Sequence, residues 1–213
     1  MRLLALGLTL LTLAAAPAPA GPIHTSADIN AIATLSGPAT RDATVYSNLN
    51  HAGGYYDLSV PSGAANAIRD DYVSTVTAGT FTLPQFKFTG GSDVVDGVLW
   101  FNYYDAAGTY IDHVGAILPA AGVHTWTITL QTPKTNVPRA GFWEMEADSS
   151  GAGNCNGTWS ASTDAPTVGS TADAAPGYND PFGTPLNCKF EFIPEPATLA
   201  LLALGGLLIL RRR

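Results

Sequence analysis

The chain has 213 residues, of which 46% are hydrophobic and 13% are charged, and its formal net charge is −7. This length is sufficient for one domain with its own hydrophobic core. An acidic chain repels nucleic acid and anionic lipid surfaces, so we expect no nucleic-acid partner.

The first twenty residues predict a signal peptide. Arg2 supplies a short basic region, residues 3–13 are rich in leucine, and Ala18-Pro19-Ala20 has the small-residue pattern of a cleavage site. We expect residues 1–20 to form the signal helix and signal peptidase to cut after Ala20. The protein is therefore expected to be exported.

Residues 21–193 are predicted to form one domain outside the cytoplasm. This part of the chain contains six basic and sixteen acidic residues, a net charge of −10. Such a charge suits a secreted, solvated protein and would attract divalent cations.

The domain has the residue pattern of β-strands almost throughout. Residues 123–132 alternate apolar and threonine side chains, which predicts a strand with one buried face. Residues 96–104 are apolar on both faces, as in a central strand, and continue through a Gly-containing turn into 109–118 as a hairpin. Further strands are predicted at residues 55–60, 67–76, 80–89, 142–148 and 189–193.

The phase of the apolar residues changes within residues 80–89. Phe81 and Leu83 are followed by Phe86 and Phe88, with Pro84 at the point of change. This pattern predicts a β-bulge or an edge position.

The predicted fold class is all-β. Short strands between Gly, Pro and Asn turns indicate an antiparallel β-sandwich, jelly-roll-like or immunoglobulin-like, with a closed barrel as the alternative. No sustained helical period and no repeat at a solenoid or propeller spacing is visible within residues 21–193.

Two aspartates in a glycine-rich stretch are the candidate metal site. Asp93 and Asp96 lie within residues 90–97, where glycines flank them, and Ca²⁺ prefers such oxygen ligands. The spacing is not that of an EF-hand loop, and solvated turn carboxylates are the alternative. We expect no other cofactor.

Two glutamates on one predicted strand raise the question of catalysis. Glu144 and Glu146 face the same way in 142–148, opposite Trp143 and Met145, with Cβ atoms ~6.5–7 Å apart by the strand rise. Glycoside hydrolysis needs two such carboxylates across a cleft, but exposed acids commonly alternate along antiparallel strands. None of the standard hydrolase or nucleotide-binding motifs is present, so we expect no enzymatic activity.

Aromatic side chains are the other potential ligand groups. Trp100, Trp126 and Trp143 lie in apolar phases and are expected in the core. Tyr104, Tyr110 and Trp159 are less constrained and are the predicted positions for stacking sugar rings, with core or cross-strand packing as the alternative.

The chain has two cysteines, Cys155 and Cys188, both in the exported part. An isolated pair in an oxidising compartment predicts a disulfide, which would close a segment rich in Asp, Thr, Ala, Pro and Gly. No histidine arrangement supports a nucleophilic cysteine, and no C-x-x-C spacing supports a metal site.

The last twenty residues, 194–213, form a separate segment. Pro194-Glu195-Pro196 interrupts regular structure, residues 197–210 are apolar, and Arg211, Arg212 and Arg213 follow. A helix over the apolar run would be about 21 Å long, shorter than the ~30 Å hydrocarbon core. The arginines predict that this short transmembrane helix is oriented with its C-terminus inside and the domain outside.

The order Pro-Glu-Pro, apolar helix and arginine cluster resembles the PEP-CTERM sorting signal. The resemblance covers residues 194–213 and implies recognition by an exosortase, a membrane protease or transpeptidase that processes its substrate near the Pro-Glu-Pro. It implies a transient inner-membrane anchor, followed by release to the cell surface or the exopolysaccharide matrix. It implies nothing about the preceding domain.

The sequence therefore predicts an exported, surface- or matrix-associated, non-enzymatic protein. A carbohydrate-binding module for extracellular polysaccharide is the main alternative, and a secreted hydrolase is the third.

Overall fold

The computed structural model describes residues 24–36, 44–49, 56–60, 67–148, 154–171 and 187–194. The predicted signal peptide, Glu195, Pro196, the apolar run and Arg211 to Arg213 lie outside these residues. Within the described residues, no helix is long and apolar enough to cross a membrane.

The described chain is almost entirely β-structure. A single 3₁₀ turn, Ser26–Asp28, precedes the first strand. Twelve strands follow: β1 Ile29–Leu35, β2 Tyr46–Ser47, β3 Tyr56–Val60, β4 Ile68–Val73, β5 Thr80–Ser92, β6 Gly97–Asp105, β7 Tyr110–Leu118, β8 Gly122–Pro138, β9 Ala140–Ala147, β10 Gly157–Ser162, β11 Asn187–Cys188 and β12 Phe190–Ile193.

These strands form one sheet in the order β11-β10-β5-β8-β1-β7-β6-β9-β4. β12 lies beside β5 and also pairs with β2, and β3 pairs with β10. β1 pairs in parallel with β7, and the other strand pairs are antiparallel.

The two ends of this path approach each other through the segment that follows β10. Val73 at the end of β4 bridges Ser170, and Ser47 of β2 bridges Val168. Their backbone N–H to O distances are 2.7 Å from Val73 to Ser170 and 3.0 Å from Ser47 to Val168. The sheet is therefore nearly closed and barrel-like.

The all-β prediction is confirmed, but the described strands form one curved sheet, and the jelly-roll or immunoglobulin type of sandwich is not confirmed. Strands β5 and β8, of 13 and 17 residues, run along each other and are long enough to bend round the core. Their register shifts between Phe81 and Leu83 and again between Leu83 and Gln85, which confirms the bulge predicted at Pro84. Bulges of this kind increase local twist and allow a sheet to coil.

The inner face of the sheet encloses an aromatic core. Phe86 and Phe88 of β5 each lie 4.9 Å from Phe101 of β6, centroid to centroid, and Phe86 lies 5.1 Å from Trp143 of β9. Leu99, Phe101 and Tyr103 are fully buried, as alternation along β6 requires. The intervening residues of β6 point to the other face of the sheet.

The cysteines do not form the predicted disulfide. Both are buried and free, and the Cys155 thiol donates to the carbonyl of Val98, 3.3 Å away. Cys188 pairs across the sheet with Ala161 of β10, whereas Cys155 precedes Gly157, the first residue of β10. The strand from Gly157 to Ala161 covers about 13 Å, but a disulfide needs Cα atoms within about 7 Å.

Candidate functional site

The outer faces of β4, β9, β6 and β7 carry a buried array of polar and aromatic side chains. We call it the polar face and define it by Arg69, Trp100, Asn102, Tyr104, Glu144 and Glu146. Strand register places these residues in cross-strand rows. Arg69, Glu144, Asn102 and His113 form one row, Glu146, Trp100 and Gly115 a second, and Phe142, Tyr104 and Tyr110 a third.

Glu144 lies at the centre of the polar face. Its Oε1 accepts hydrogen bonds from the Tyr104 hydroxyl at 2.6 Å and from Asn102 Nδ2 at 3.0 Å. Its Oε2 accepts from Arg69 Nε at 2.8 Å and lies 2.7 Å from the second guanidinium nitrogen. Both carboxylate oxygens are therefore engaged, and Arg69 supplies the compensating charge.

Tyr104 is held between these groups. The Arg69 guanidinium carbon lies 3.7 Å from the centroid of the Tyr104 ring, a cation–π contact. Burial, and then the hydrogen bond to Glu144, raise the pKa of Tyr104 far above its usual value. The phenol therefore remains a hydrogen-bond donor over the physiological pH range.

Asn102 connects the two glutamates. Its Nδ2 donates to Glu144 and, at 3.2 Å, to Oε2 of Glu146. Only the amide nitrogen can donate to carboxylates, which fixes the orientation of the amide. The Oδ1 atom is buried and has no hydrogen-bond partner among the described residues.

His24 covers the end of the polar face at Trp100. Its imidazole stacks on the indole with a centroid separation of 4.4 Å and an interplanar angle of 9°. Its Nε2 lies 3.2 Å from Oε2 of Glu146 and donates to it. Gly115 provides space on the neighbouring strand, because a Cβ there would lie 2.2 Å from Trp100 Cζ3.

Further titratable groups lie around His113 at the side of the polar face. The Tyr110 hydroxyl lies 2.6 Å from His113 Nδ1, and Asp28 Oδ1 lies 3.9 Å from His113 Nε2. Burial and the neighbouring His24 lower the pKa of His113, so its imidazole is neutral at neutral pH. Burial raises the pKa of Tyr110 to about 12.

Asp112 is ionised at this side of the site. Burial would raise the pKa of Asp112, but the Lys134 ammonium at 2.6 Å and the His113 N–H at 2.8 Å hold it below its usual value.

A surface hollow adjoins the third row, lined by Asp71, Phe142 and neighbouring residues of β4 and β9 together with Ala106.

This geometry provides carboxylates, an amide, a guanidinium and aromatic rings in one place on the outside of the sheet.

Comparison with protein families adds information on the C-terminal end of the chain, where residues 192–213 match the model of the PEP-CTERM protein-sorting motif. The chain carries a PEP-CTERM sorting motif. The resemblance of residues 194–213 to this signal is thus confirmed, and the motif implies an exported protein that is targeted to an exosortase.

The PEP-CTERM match begins within the last described strand. Phe192 and Ile193 belong to β12 and are buried, so the sorting motif joins the last strand directly. Neither the curated proteins nor the solved structures give a match to this chain. The polar face is therefore the feature of the described residues that bears on the function of the domain.

The structure brings together two of the three aromatic residues predicted to contact a ligand. Tyr104 and Tyr110 lie 5.7 Å apart, centroid to centroid, in the third row of the polar face. Trp159 is fully buried in the core, where its Nε1 donates to the carbonyl of Lys189 at 3.2 Å. The expectation that Trp159 could stack with a ligand is wrong, because β10 directs this side chain inward.

Glu144 and Glu146 lie on the same side of β9, as predicted. They are 8% and 5% exposed, however, so they are not the solvated acids that commonly alternate along a strand. Trp100 is buried as expected, but on the polar face and not in the main core.

The predicted Ca²⁺ ligands Asp93 and Asp96 lie in different local environments. Asp93 accepts from the backbone N–H of Asn156 at 2.8 Å and from its Nδ2 at 2.9 Å. Asp96 adopts a φ of 58°, the left-handed conformation of a tight turn. In the described part of the chain, no group of three or more His, Cys, Asp and Glu side chains is arranged to hold a metal, and Ca²⁺ binding stays a prediction.

Sequence reasoning missed Arg69, Asn102 and His24 as site residues. Asn102 had a signal, because it is the one amide within the otherwise apolar residues 97–104. His24 had none, since its contact with Trp100 joins residues that are far apart in sequence.

Proposed function

We propose that the protein is a non-enzymatic component of the cell surface or exopolysaccharide matrix, and that its domain binds extracellular polysaccharide through the polar face. The observation that carries the proposal is the buried array of Glu144, Glu146, Asn102 and Trp100 on the outer side of the sheet. Sugar sites combine aromatic surfaces with a few fixed polar groups, and this array contains both.

The energetics of the polar face support a binding role. Burying a charged or polar group is costly unless every donor and acceptor is satisfied, and apolar side chains would stabilise the sheet more simply. Arg69 and Tyr104 satisfy Glu144, but the buried Oδ1 of Asn102 and Nε1 of Trp100 have no partner among the described residues. A ligand with hydroxyl groups would satisfy both atoms.

Binding is tested with the purified mature domain and immobilised cellulose, dextran, alginate and chitosan. Retention on at least one polysaccharide is expected, and Arg69→Ala and Tyr110→Ala should reduce it several-fold. Thr125→Ala, at an exposed position of β8 away from the polar face, serves as the control. Failure to bind any of the four, or equal binding by all variants, would contradict the proposal. Repeating the assay with EDTA tests the Ca²⁺ prediction separately.

The sorting part of the proposal concerns processing at both ends. Signal peptidase is expected to expose Gly21, and an exosortase to remove the tail after a transient stay in the inner membrane. Mass spectrometry of the surface-associated protein should then show a chain that begins at residue 21 and lacks residues 197–213. Recovery of intact residues 197–213 at the cell surface would contradict exosortase processing.

Glycoside hydrolysis is the second candidate function. It is favoured by one observation, the position of Glu144 and Glu146 on one buried face with Asn102 between them. Against it, both oxygens of Glu144 are engaged by Arg69, Asn102 and Tyr104, which leaves no lone pair directed at a substrate. Release of reducing ends from polysaccharide that is lost in Glu146→Gln would replace the binding proposal with this one.

A further inference from the structure

The segment His24–Asp28 lies over the Trp100 end of the polar face, and we call it the cover. Its 3₁₀ turn is closed locally, because Asp28 Oδ2 accepts from the N–H and the hydroxyl of Thr25 at 2.8 and 2.7 Å. Two side chains connect it to the sheet. His24 contacts Trp100 and Glu146, and Asp28 faces His113 at 3.9 Å.

His24 is placed as a bound ring would be. The imidazole lies parallel to the Trp100 indole, and its N–H points at Glu146. A flat ring on an aromatic side chain with one donor to a carboxylate is also the way in which a pyranose unit is held in a protein site. The position therefore accepts a ring that carries a hydrogen-bond donor at one edge.

The groups beneath the cover have unused hydrogen-bonding capacity. Trp100 is 2% exposed and Asn102 is 0% exposed, yet Trp100 Nε1 and Asn102 Oδ1 lack partners among the described residues. His24 Nδ1 is likewise buried without one. An unpaired buried polar group is destabilising, and a sugar hydroxyl, which can both donate and accept, is able to pair with either atom.

The charges of the site distinguish among sugars. Arg69 is engaged with Glu144, and among the described residues Glu146 is not paired with a lysine or an arginine. A ligand that replaces His24 must therefore bring a donor to Glu146, and a positively charged donor gives the strongest interaction. An ammonium group on the sugar ring meets this requirement.

We infer that Trp100, Asn102 and Glu146 form a subsite for an amino-sugar unit, and that the cover closes this subsite in the free protein. The inference rests on the proposed polysaccharide-binding function and adds the ligand class and a competing segment of the chain itself. A site that is open for only a fraction of the time binds more weakly by that fraction. Removing the His24 side chain should then increase affinity about 10-fold.

The test measures binding of three tetrasaccharides to the mature protein by calorimetry: glucosamine, N-acetylglucosamine and glucose tetramers. The glucosamine tetramer is expected to bind at least 5-fold more tightly than the others. His24→Ala should strengthen its binding about 10-fold, and His124→Ala is the matched control, since His124 lies on β8 and bonds to Ala121. Glu146→Gln keeps the shape of the side chain and should abolish the preference for the amine.

Each contrary outcome refutes a different part. Unchanged or weaker binding by His24→Ala, with binding by the wild type intact, overturns the cover. Equal affinity for the three tetramers, or a preference that survives Glu146→Gln, overturns the amino-sugar assignment. In both cases polysaccharide binding as such stands. Absence of binding by wild type and His24→Ala to every tetramer, together with no retention on the immobilised polysaccharides, refutes the proposed function as well.

Discussion

The contact between Gly115 and Trp100 gives a sharp test of the polar face. In Gly115→Ala the new Cβ would lie 2.2 Å from Cζ3 and 2.7 Å from Cε3 of the indole. Carbon atoms pack at about 3.5–4.0 Å, so the indole must withdraw by roughly 1 Å or more. This displacement disturbs the stack with His24, which lies 4.4 Å away.

Overpacking of this kind costs about 1–3 kcal/mol, partly offset by the lower entropy of alanine in the unfolded chain, about 0.4–1 kcal/mol. We expect a net loss of about 1–2 kcal/mol, which for a domain of this size lowers Tm by roughly 2–8 °C. Urea and thermal unfolding followed by circular dichroism measure the loss. Gly79→Ala is the matched control, because nothing lies within 4 Å of its added Cβ.

If Gly115→Ala is as stable as Gly79→Ala and keeps its affinity for polysaccharide, the indole does not lie against Gly115 and the described geometry of this row is wrong.

Three further predictions concern charge, pH and thiols. Arg69→Met leaves the buried Glu144 without its countercharge and should lower the free energy of unfolding by about 2–4 kcal/mol. The double variant Arg69→Met/Glu144→Leu should recover much of this loss, which a double-mutant cycle followed by urea unfolding measures. The pKa of His113 is lowered in the folded state, so the unfolded chain binds more protons below pH 6.5. The free energy of unfolding should therefore fall as the pH drops through and below that value. His113→Gln should flatten this part of the pH–stability profile, and an unchanged profile would contradict the burial of His113. Both cysteines are free, so two thiols per chain should react with a thiol reagent after the protein is unfolded without reductant. If no thiol reacts and the measured mass is 2 Da below that of the reduced chain, the cysteines form a disulfide instead.

The strand pattern was accessible from sequence because alternation is a local property. The central strand predicted at 96–104 is β6, the hairpin to β7 forms, and the change of phase at Pro84 marks the register shifts of β5. Four strands were missed: β1, β2, β10 and β11. Two of them have two residues each, and β1 is rich in alanine and polar residues, which give a weak periodic signal.

The closure of the sheet and the polar face depend on long-range pairing that no local pattern encodes. The bridges from Ser47 to Val168 and from Val73 to Ser170 join segments about a hundred residues apart. The exposure expected for Glu144 and Glu146 was wrong for the same reason. Alternation places them opposite the core, but it does not reveal that Arg69, Asn102 and His24 bury them from the other side.

The position of β12 has a consequence for the order in which this protein can mature. Phe190–Ile193 lies against β5 and pairs with β2, and its phenylalanines complete the core, yet it is the last described strand and joins the sorting motif. A chain that emerges with its N-terminus first exposes β5 long before this partner arrives. The core can therefore be completed only after nearly the whole domain has emerged, so the strand that joins the sorting motif is also the strand that completes the fold.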